Sequence, residues 1–256
     1  MLVVAIDHGT SFSRYMSNWG FESRDAADVK DAIGRLALRV GADAVVLDAQ
    51  GIAMSRSWAQ PACETWIGGP DVAFPELHDV ACRLLAIVRA ASTPESILPT
   101  VKIGALVGAG VSMAGVATAV SHLDELSAAG SRVILEPIFG KAVTDAQRRT
   151  LLSHMASISG HLYLKCDFGP GEGWLEGLGT HFPDRWFLRS SGAQFDHFLD
   201  MFRRVQPHRA LGVIAGTALW GDLGRGIALA EDGAAEEFGK RLEALRAVEI
   251  AKDPVS

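Results

Sequence analysis

In the run His161-Leu162-Tyr163-Leu164-Lys165-Cys166-Asp167-Phe168-Gly169, a lysine and an aspartate stand two residues apart in a largely apolar stretch. Side chains of an extended strand alternate between faces, so Leu162, Leu164, Cys166 and Phe168 share one side and Tyr163, Lys165 and Asp167 the other. The wholly apolar side packs on helices, which leaves Lys165 and Asp167 pointing inward. Burial disfavours an ammonium, and a free amine attacks a carbonyl to form a Schiff base. The competing reading is a lysine that snorkels outward, or one neutralised by Asp167 as a buried pair. The same alternation over residues 2–8 turns Asp7 inward with Val3 and Ala5. Glu136, just before Pro137 and among apolar neighbours, is either a buried acid with a partner or a residue at the mouth of the interior. Carbinolamine formation, its dehydration and C–C cleavage each move a proton, so one amine ringed by two or three carboxylates is a chemically sufficient set. Taken singly, each acid could equally be a strand-end carboxylate that accepts backbone N–H bonds.

Such a set needs a frame of strands. Short apolar runs ending in Gly, Asp or Pro alternate here with longer amphipathic stretches, as in repeated βα units. Strands are expected at residues 2–8, 43–49, 101–108, 131–138, 161–168, 184–191 and 209–217, and an eighth, needed for closure, around Thr65-Trp66-Ile67-Gly68. Helices are expected at 25–40, 75–91, 112–129, 144–158, 194–206 and 233–250, the last an outer amphipathic helix with Phe238, Leu242 and Leu245 at helical spacing. The stretch Thr10 to Arg24 is polar and reads as a long loop after the first strand, on the face where such barrels carry their active sites. At 256 residues the chain matches one (β/α)8 TIM barrel of the α/β class, a single domain over 1–256.

Composition agrees with that frame. A hydrophobic content of 48% and a mean hydropathy of +0.18 suit strands buried on both faces. The net charge of −6, with both signs interspersed, offers no extended basic surface, so neither nucleic acid nor an anionic membrane is expected as a partner. Cys63, Cys82 and Cys166 are isolated and odd in number, suggesting free thiols in a reducing compartment. The apolar opening Met1 to Ile6 lacks a basic preamble and soon meets Asp7, so it reads as a strand rather than a signal segment. No run nears the roughly 20 apolar residues of a membrane span, and a soluble, cytoplasmic protein is expected. The eight histidines contain no HxH or HxxxH pair, which speaks against a zinc site. The Gly104 to Gly110 run departs from GxGxxG and reads as a tight turn rather than a dinucleotide loop. Trp19, Trp58, Trp66 and Trp174 fall in expected loops or near strand ends, where they could wall a pocket or an oligomer contact.

Several motifs, in order, resemble the class I aldolase superfamily that includes archaeal-type fructose-bisphosphate, tagatose-bisphosphate and sulfofructose-phosphate aldolases. Ala5-Ile6-Asp7-His8-Gly9 is similar to the Asp-His-Gly ending the first strand of the archaeal-type enzymes, and Leu135-Glu136-Pro137 to a Leu-Glu-Pro ending the fifth. Leu164-Lys165-Cys166-Asp167 resembles the strand with the Schiff-base lysine. Ser190-Ser191-Gly192-Ala193, then Gly212 to Trp220, resembles the paired segments that hold substrate phosphate. The resemblance spans nearly the whole chain, with two departures. Gly216-Thr217 stands where the family commonly has Gly-Arg, and Ile138-Phe139 where the archaeal-type enzymes have a proton-donating tyrosine.

The resemblance implies a metal-independent lyase that makes or breaks a C–C bond beside a carbonyl through Lys165, with Asp7 and Glu136 moving protons. His8, Asp167, Arg189, Ser190, Ser191, Gly192, Gly216 and Thr217 would contact the substrate. That substrate would be a ketose phosphate or a related carbonyl compound, used without cofactor by a homo-oligomer. The missing arginine leaves smaller, unphosphorylated substrates open, with Arg189 or Lys141 as substitutes. Two alternatives remain: a thiolase- or transaldolase-like transferase using the same lysine, and a non-catalytic barrel with a binding or regulatory role.

Overall fold

The computed structural model describes residues 1–7, 9–48, 51, 64–91, 99–169 and 172–250. Eight strands hydrogen-bond in chain order and close into a (β/α)8 TIM barrel: β1 (Leu2–Ala5), β2 (Ala44–Leu47), β3 (Glu64–Val72), β4 (Thr100–Val107), β5 (Arg132–Phe139), β6 (Tyr163–Cys166), β7 (Trp186–Arg189) and β8 (Gly212–Ala215). Pairing is parallel through β8–β1–β2–β3 and through β4–β5–β6–β7. The helices are α1 (Gly9–Trp19), α2 (Ala26–Arg39), α3 (Leu77–Ala91), α4 (Met113–Ala128), α5 (Asp145–Ile158), α6 (Glu172–His181), α7 (Phe195–Val205), α8 (Thr217–Trp220), α9 (Gly224–Ala228) and α10 (Asp232–Ile250). The chain divides into two compact units: Met1–Ile67 with Ser190–Gln206 and Gly212–Ser256, and Gly68–Arg189 with Pro207–Leu211.

In the first unit the ends of β1 and β2 are tied together by Asp43. It accepts the Leu2 N–H at 2.6 Å and two guanidinium bonds from Arg246 on α10. β8 approaches the chain start so closely that a Cβ on Gly212 would fall 1.9 Å from the Met1 carbonyl oxygen. Phe238, Leu242 and Leu245 of α10 are buried, as their helical spacing predicts. The expected loop Thr10 to Arg24 is instead largely helix α1. Phe12, Tyr15, Met16 and Trp19 recur at i, i+3, i+4 and i+7, and this apolar stripe outweighs the serines and arginines between. It packs onto Trp220, with the Phe12 and Trp19 rings 5.6 and 6.0 Å away and Tyr15 also in contact. Trp19 therefore belongs to a helix rather than a loop.

The second unit is built around the eight-residue register of β4 on β5. Its helices start on side-chain caps: Ser112 Oγ accepts the Gly115 N–H before α4, and Thr144 and Gln147 form a reciprocal capping box before α5. β6 is pinned at both ends. On α4, Asp124 Oδ1 gathers the His161 and Leu162 N–H groups and the Ser159 hydroxyl, fixing where β6 begins. Beyond its end, Trp174 on α6 donates to the Asp167 carbonyl at 3.1 Å. Gly169 sits there at φ +72°, and a Cβ would strike the Trp174 indole at 2.0 Å, so only glycine fits. Trp174 is thus a buried structural residue, as is Trp66 on β3; α6 has no counterpart among the expected helices. The 209–217 strand ends at Ala215, and Thr217 opens helix α8 rather than closing the strand. Trp58 and Cys63 lie outside the described residues.

Candidate active site

Parallel register carries inward-facing residues of β4 to β7 to matched heights. Gly104 pairs with Glu136 and Lys165 with Phe187, while the helix-facing pair Leu135–Leu164 sets Glu136 level with Lys165. On β6 the helix-facing Leu164 and Cys166 are buried in the apolar layer, and burial pushes the Cys166 thiol well above its usual range. Lys165, of opposite parity, is only 3% exposed and holds its Nζ 3.0 Å from Glu136 Oε2.

Glu136 is the centre of the cluster. Lys102, on β4, places its own Nζ 3.0 Å from the same Oε2, so two buried ammonium groups converge on one oxygen. Arg189, on β7, donates from Nη1 to Oε1 at 2.8 Å and from Nη2 to Asp167 Oδ2 at 3.2 Å. Burial opposes a charge on Glu136, but the Lys165, Lys102 and Arg189 cations outweigh it and hold its carboxyl well below the usual carboxylate range. Burial likewise disfavours the Arg189 cation, and Glu136 and Asp167 more than compensate. The other oxygen of Asp167, Oδ1, is buried and accepts no hydrogen bond. A third carboxylate stands close by: a Cβ on Gly104 would lie 1.9 Å from Asp71 Oδ1, so the missing side chain is what makes room for it.

The sequence-based set is therefore assembled in part. Lys165, Glu136, Asp167 and Arg189 form one connected cluster within the second unit. Lys165 is ion-paired with Glu136, which is a buried acid with partners rather than a residue at the mouth of the interior. Arg189 spans two carboxylates, so its charge serves those acids. Asp7 belongs to the first unit, half-buried just past β1. So do Ser190, Ser191, Gly192, Gly216 and Thr217. There Ser191 and Gly192 adopt φ of 49° and 75°, turning the chain after β7, and Ser190 Oγ accepts the Gly216 N–H at 3.4 Å. His8 lies outside the described residues. Lys141 is exposed.

Lys102 and Asp71 were missed. The signal for Lys102 was available, because Thr100-Val101-Lys102-Ile103-Gly104 obeys the same alternation that singled out Lys165. Asp71 follows Gly-Gly-Pro, where alternation gives no guide. Among the described residues, no three His, Cys, Asp or Glu side chains are grouped to hold a metal ion, and no helix is long and apolar enough to cross a membrane.

The sequence matches no protein-family model and no curated protein. Among solved structures, the chain is similar to phosphoribosyl anthranilate isomerase from Thermococcus kodakaraensis, with 13% identity over 97% of each chain and a TM-score of 0.50. It also aligns with a fructose-bisphosphate aldolase from Campylobacter jejuni, at 10% identity over 98% of this chain and 88% of that one, TM-score 0.47. N-acetylneuraminate lyase from Mycoplasma synoviae aligns at 8% identity over 84% of this chain and 72% of that one, TM-score 0.49. At such identities the likeness is one of fold.

Proposed function

We propose that the chain is a lyase of the class I aldolase type, which makes or breaks a C–C bond beside a carbonyl through a Schiff base on Lys165. The observation that carries this reading is a buried lysine inside a barrel, 3.0 Å from a carboxylate that a second lysine also contacts. Burial and the neighbouring Lys102 ammonium both oppose a charge on Lys165 while the Glu136 carboxylate favours it, and the amine form is the one that attacks a carbonyl.

In the cleavage direction, the Lys165 nitrogen adds to the substrate carbonyl carbon and the resulting carbinolamine loses water to give an iminium ion. The bond between the α and β carbons then breaks. Its electron pair flows into the iminium to leave an enamine, while the β-hydroxyl gives up its proton and departs as an aldehyde. Protonation of the enamine and hydrolysis return the free amine and the second carbonyl product. Glu136, kept ionised by its cations, is placed to accept a proton and pass it on rather than store it. Asp167 and Asp71 are further acids of the same unit that can take it.

The narrower reading, a ketose phosphate substrate handled with help from Asp7, rests on the resemblance of Ser190–Ala193 and Gly212–Trp220 to phosphate-holding segments. The Gly216 N–H is engaged by Ser190 Oγ through a long bond of 3.4 Å, which an incoming oxyanion would have to displace.

Borohydride trapping with a panel of ketoses, ketones and aldehydes tests the proposal, read by intact mass and peptide mapping. A reduced adduct on Lys165 is expected, and Lys165→Met should abolish it. Full turnover in Lys165→Met, or adducts confined to other lysines, would refute the mechanism.

A further inference from the structure

Beyond the charged cluster, β4 and β5 each carry an apolar side chain on the interior side. Leu106, on β4, is 49% exposed, one of three large exposed hydrophobic side chains among the described residues, with Ile87 and Leu229. A single exposed leucine on an outer surface carries no meaning. Leu106, however, shares its strand face with Lys102 and Gly104, which puts it on the interior side, at the carboxyl end where barrels of this kind place their sites. Its register partner on β5 is Ile138, two residues past Glu136 and half-buried. A Cβ on Gly104 would meet Ile138 Cδ1 at 3.0 Å, so that side chain reaches over the interior beside the cluster. The helix-facing alternates Ala105 and Val107 are buried, which confirms the facing of Leu106.

Resting on the aldolase reading above, we propose that Leu106 and Ile138 form the subsite for an aliphatic or aryl portion of the substrate. The substrate class is then a carbonyl compound with an apolar tail, rather than one hydroxylated along its whole length. Leu106 stands two residues above the level of Glu136, a rise of about 6.6 Å, so the tail it contacts lies several bonds from the carbon that Lys165 attacks. A hydroxylated chain brought against these two side chains would lose water contacts without gaining hydrogen bonds, whereas an alkyl or aryl group would gain from leaving water.

The test uses linear aldehydes from propanal to heptanal, trapped with cyanoborohydride and quantified as the Lys165 adduct by peptide mapping. The apparent second-order trapping constant is expected to rise by up to about 4-fold per added methylene once the chain reaches Leu106. Leu106→Ser should flatten that rise, while Ile87→Ser, at an exposed site on α3, should leave it intact. A Lys165 adduct that forms equally with every chain length would overturn the inference and leave the aldolase reading standing. A second measurement is independent of imine chemistry: methyl resonances of Leu106 and Ile138 are titrated with heptan-2-ol, which cannot form a Schiff base. Shifts at both residues are expected, and their absence would overturn the inference whatever Lys165 does. If no carbonyl traps on Lys165, the aldolase reading fails, and with it the assignment of the tail to that reaction.

Discussion

Lys102→Met removes one of the two ammonium groups on Glu136 Oε2 while leaving Lys165 and Arg189 in place. Both Nζ atoms lie 3.0 Å from that oxygen, so they are separated by no more than twice this distance, 6.0 Å. Two unit charges that close repel by about 3 kcal/mol at an effective dielectric constant of ~20, so each ammonium disfavours the other. The variant should therefore hold its Lys165 proton more tightly. In cyanoborohydride trapping followed from pH 5 to 10, the pH of half-maximal trapping should rise relative to wild type. At neutral pH the variant should react more slowly, and it should recover at high pH. Folding is checked in parallel by circular dichroism, since a folded variant with a displaced profile is the informative outcome. A half-maximal pH that is unchanged or lower in a folded variant would refute the coupling of the two lysines through Glu136.

Glu136→Gln strips the shared carboxylate from two buried lysines and the half-buried Arg189 and should cost about 3–5 kcal/mol in urea unfolding at pH 7. Because the folded carboxyl is held below its ordinary value, its contribution is fully present above the unfolded carboxylate range and is lost as pH falls through the folded value. The wild-type advantage over the variant should stay constant from pH 6 to 8 and shrink on acidification; an advantage that grew in acid would contradict the assignment. Gly104→Ala drives a methyl to within 1.9 Å of Asp71 Oδ1 and 3.0 Å of Ile138 Cδ1. The forced shift should cost about 1–3 kcal/mol, visible as a lower Tm, and an unchanged Tm would mean that Asp71 moves away freely.

The barrel was legible in the sequence because parallel strands buried on both faces leave short apolar runs, and each of the eight expected runs overlaps a strand. Even the weakest of these, at Thr65 to Gly68, falls inside the nine-residue β3. Helix α1 was hidden because its four aromatic and apolar anchors are diluted by serines and arginines, and the average polarity of the segment masks a stripe that only position-by-position reading reveals. Helix α6 was hidden for the opposite reason: Gly173, Gly177 and Gly179 lower its intrinsic helix propensity, and its order comes from buried Trp174, Leu175 and Leu178. Alternation within one strand found Lys165. Alternation turns Lys102 inward as well, but its meeting with Glu136, like the place of Asp71 beside Gly104, depends on register between strands, which a single sequence does not encode. The same gap explains Arg189, whose type suggested anion recognition and whose position beside Glu136 and Asp167 supplies internal neutralisation.

The offset of Lys102 explains why the cluster needs a lysine on β4 and a glycine after it. Lys102 is aligned with Ile134, two residues below Glu136, so its backbone starts about 6.6 Å lower than the carboxylate it contacts. A long, unbranched side chain such as lysine spans that distance, and a histidine would stop short. The climb runs along the strand past position 104, where any side chain would occupy the space now taken by Asp71 Oδ1. Glycine at 104 and lysine at 102 are therefore one device, which brings a second ammonium to Glu136 from below while Lys165 reaches it from its own level. The consequence is directional. The lower approach to Glu136 is filled by Lys102, and the exposed Leu106 stands above it. On the proposed mechanism, a carbonyl compound would meet Lys165 from the carboxyl end of the strands, past the apolar pair.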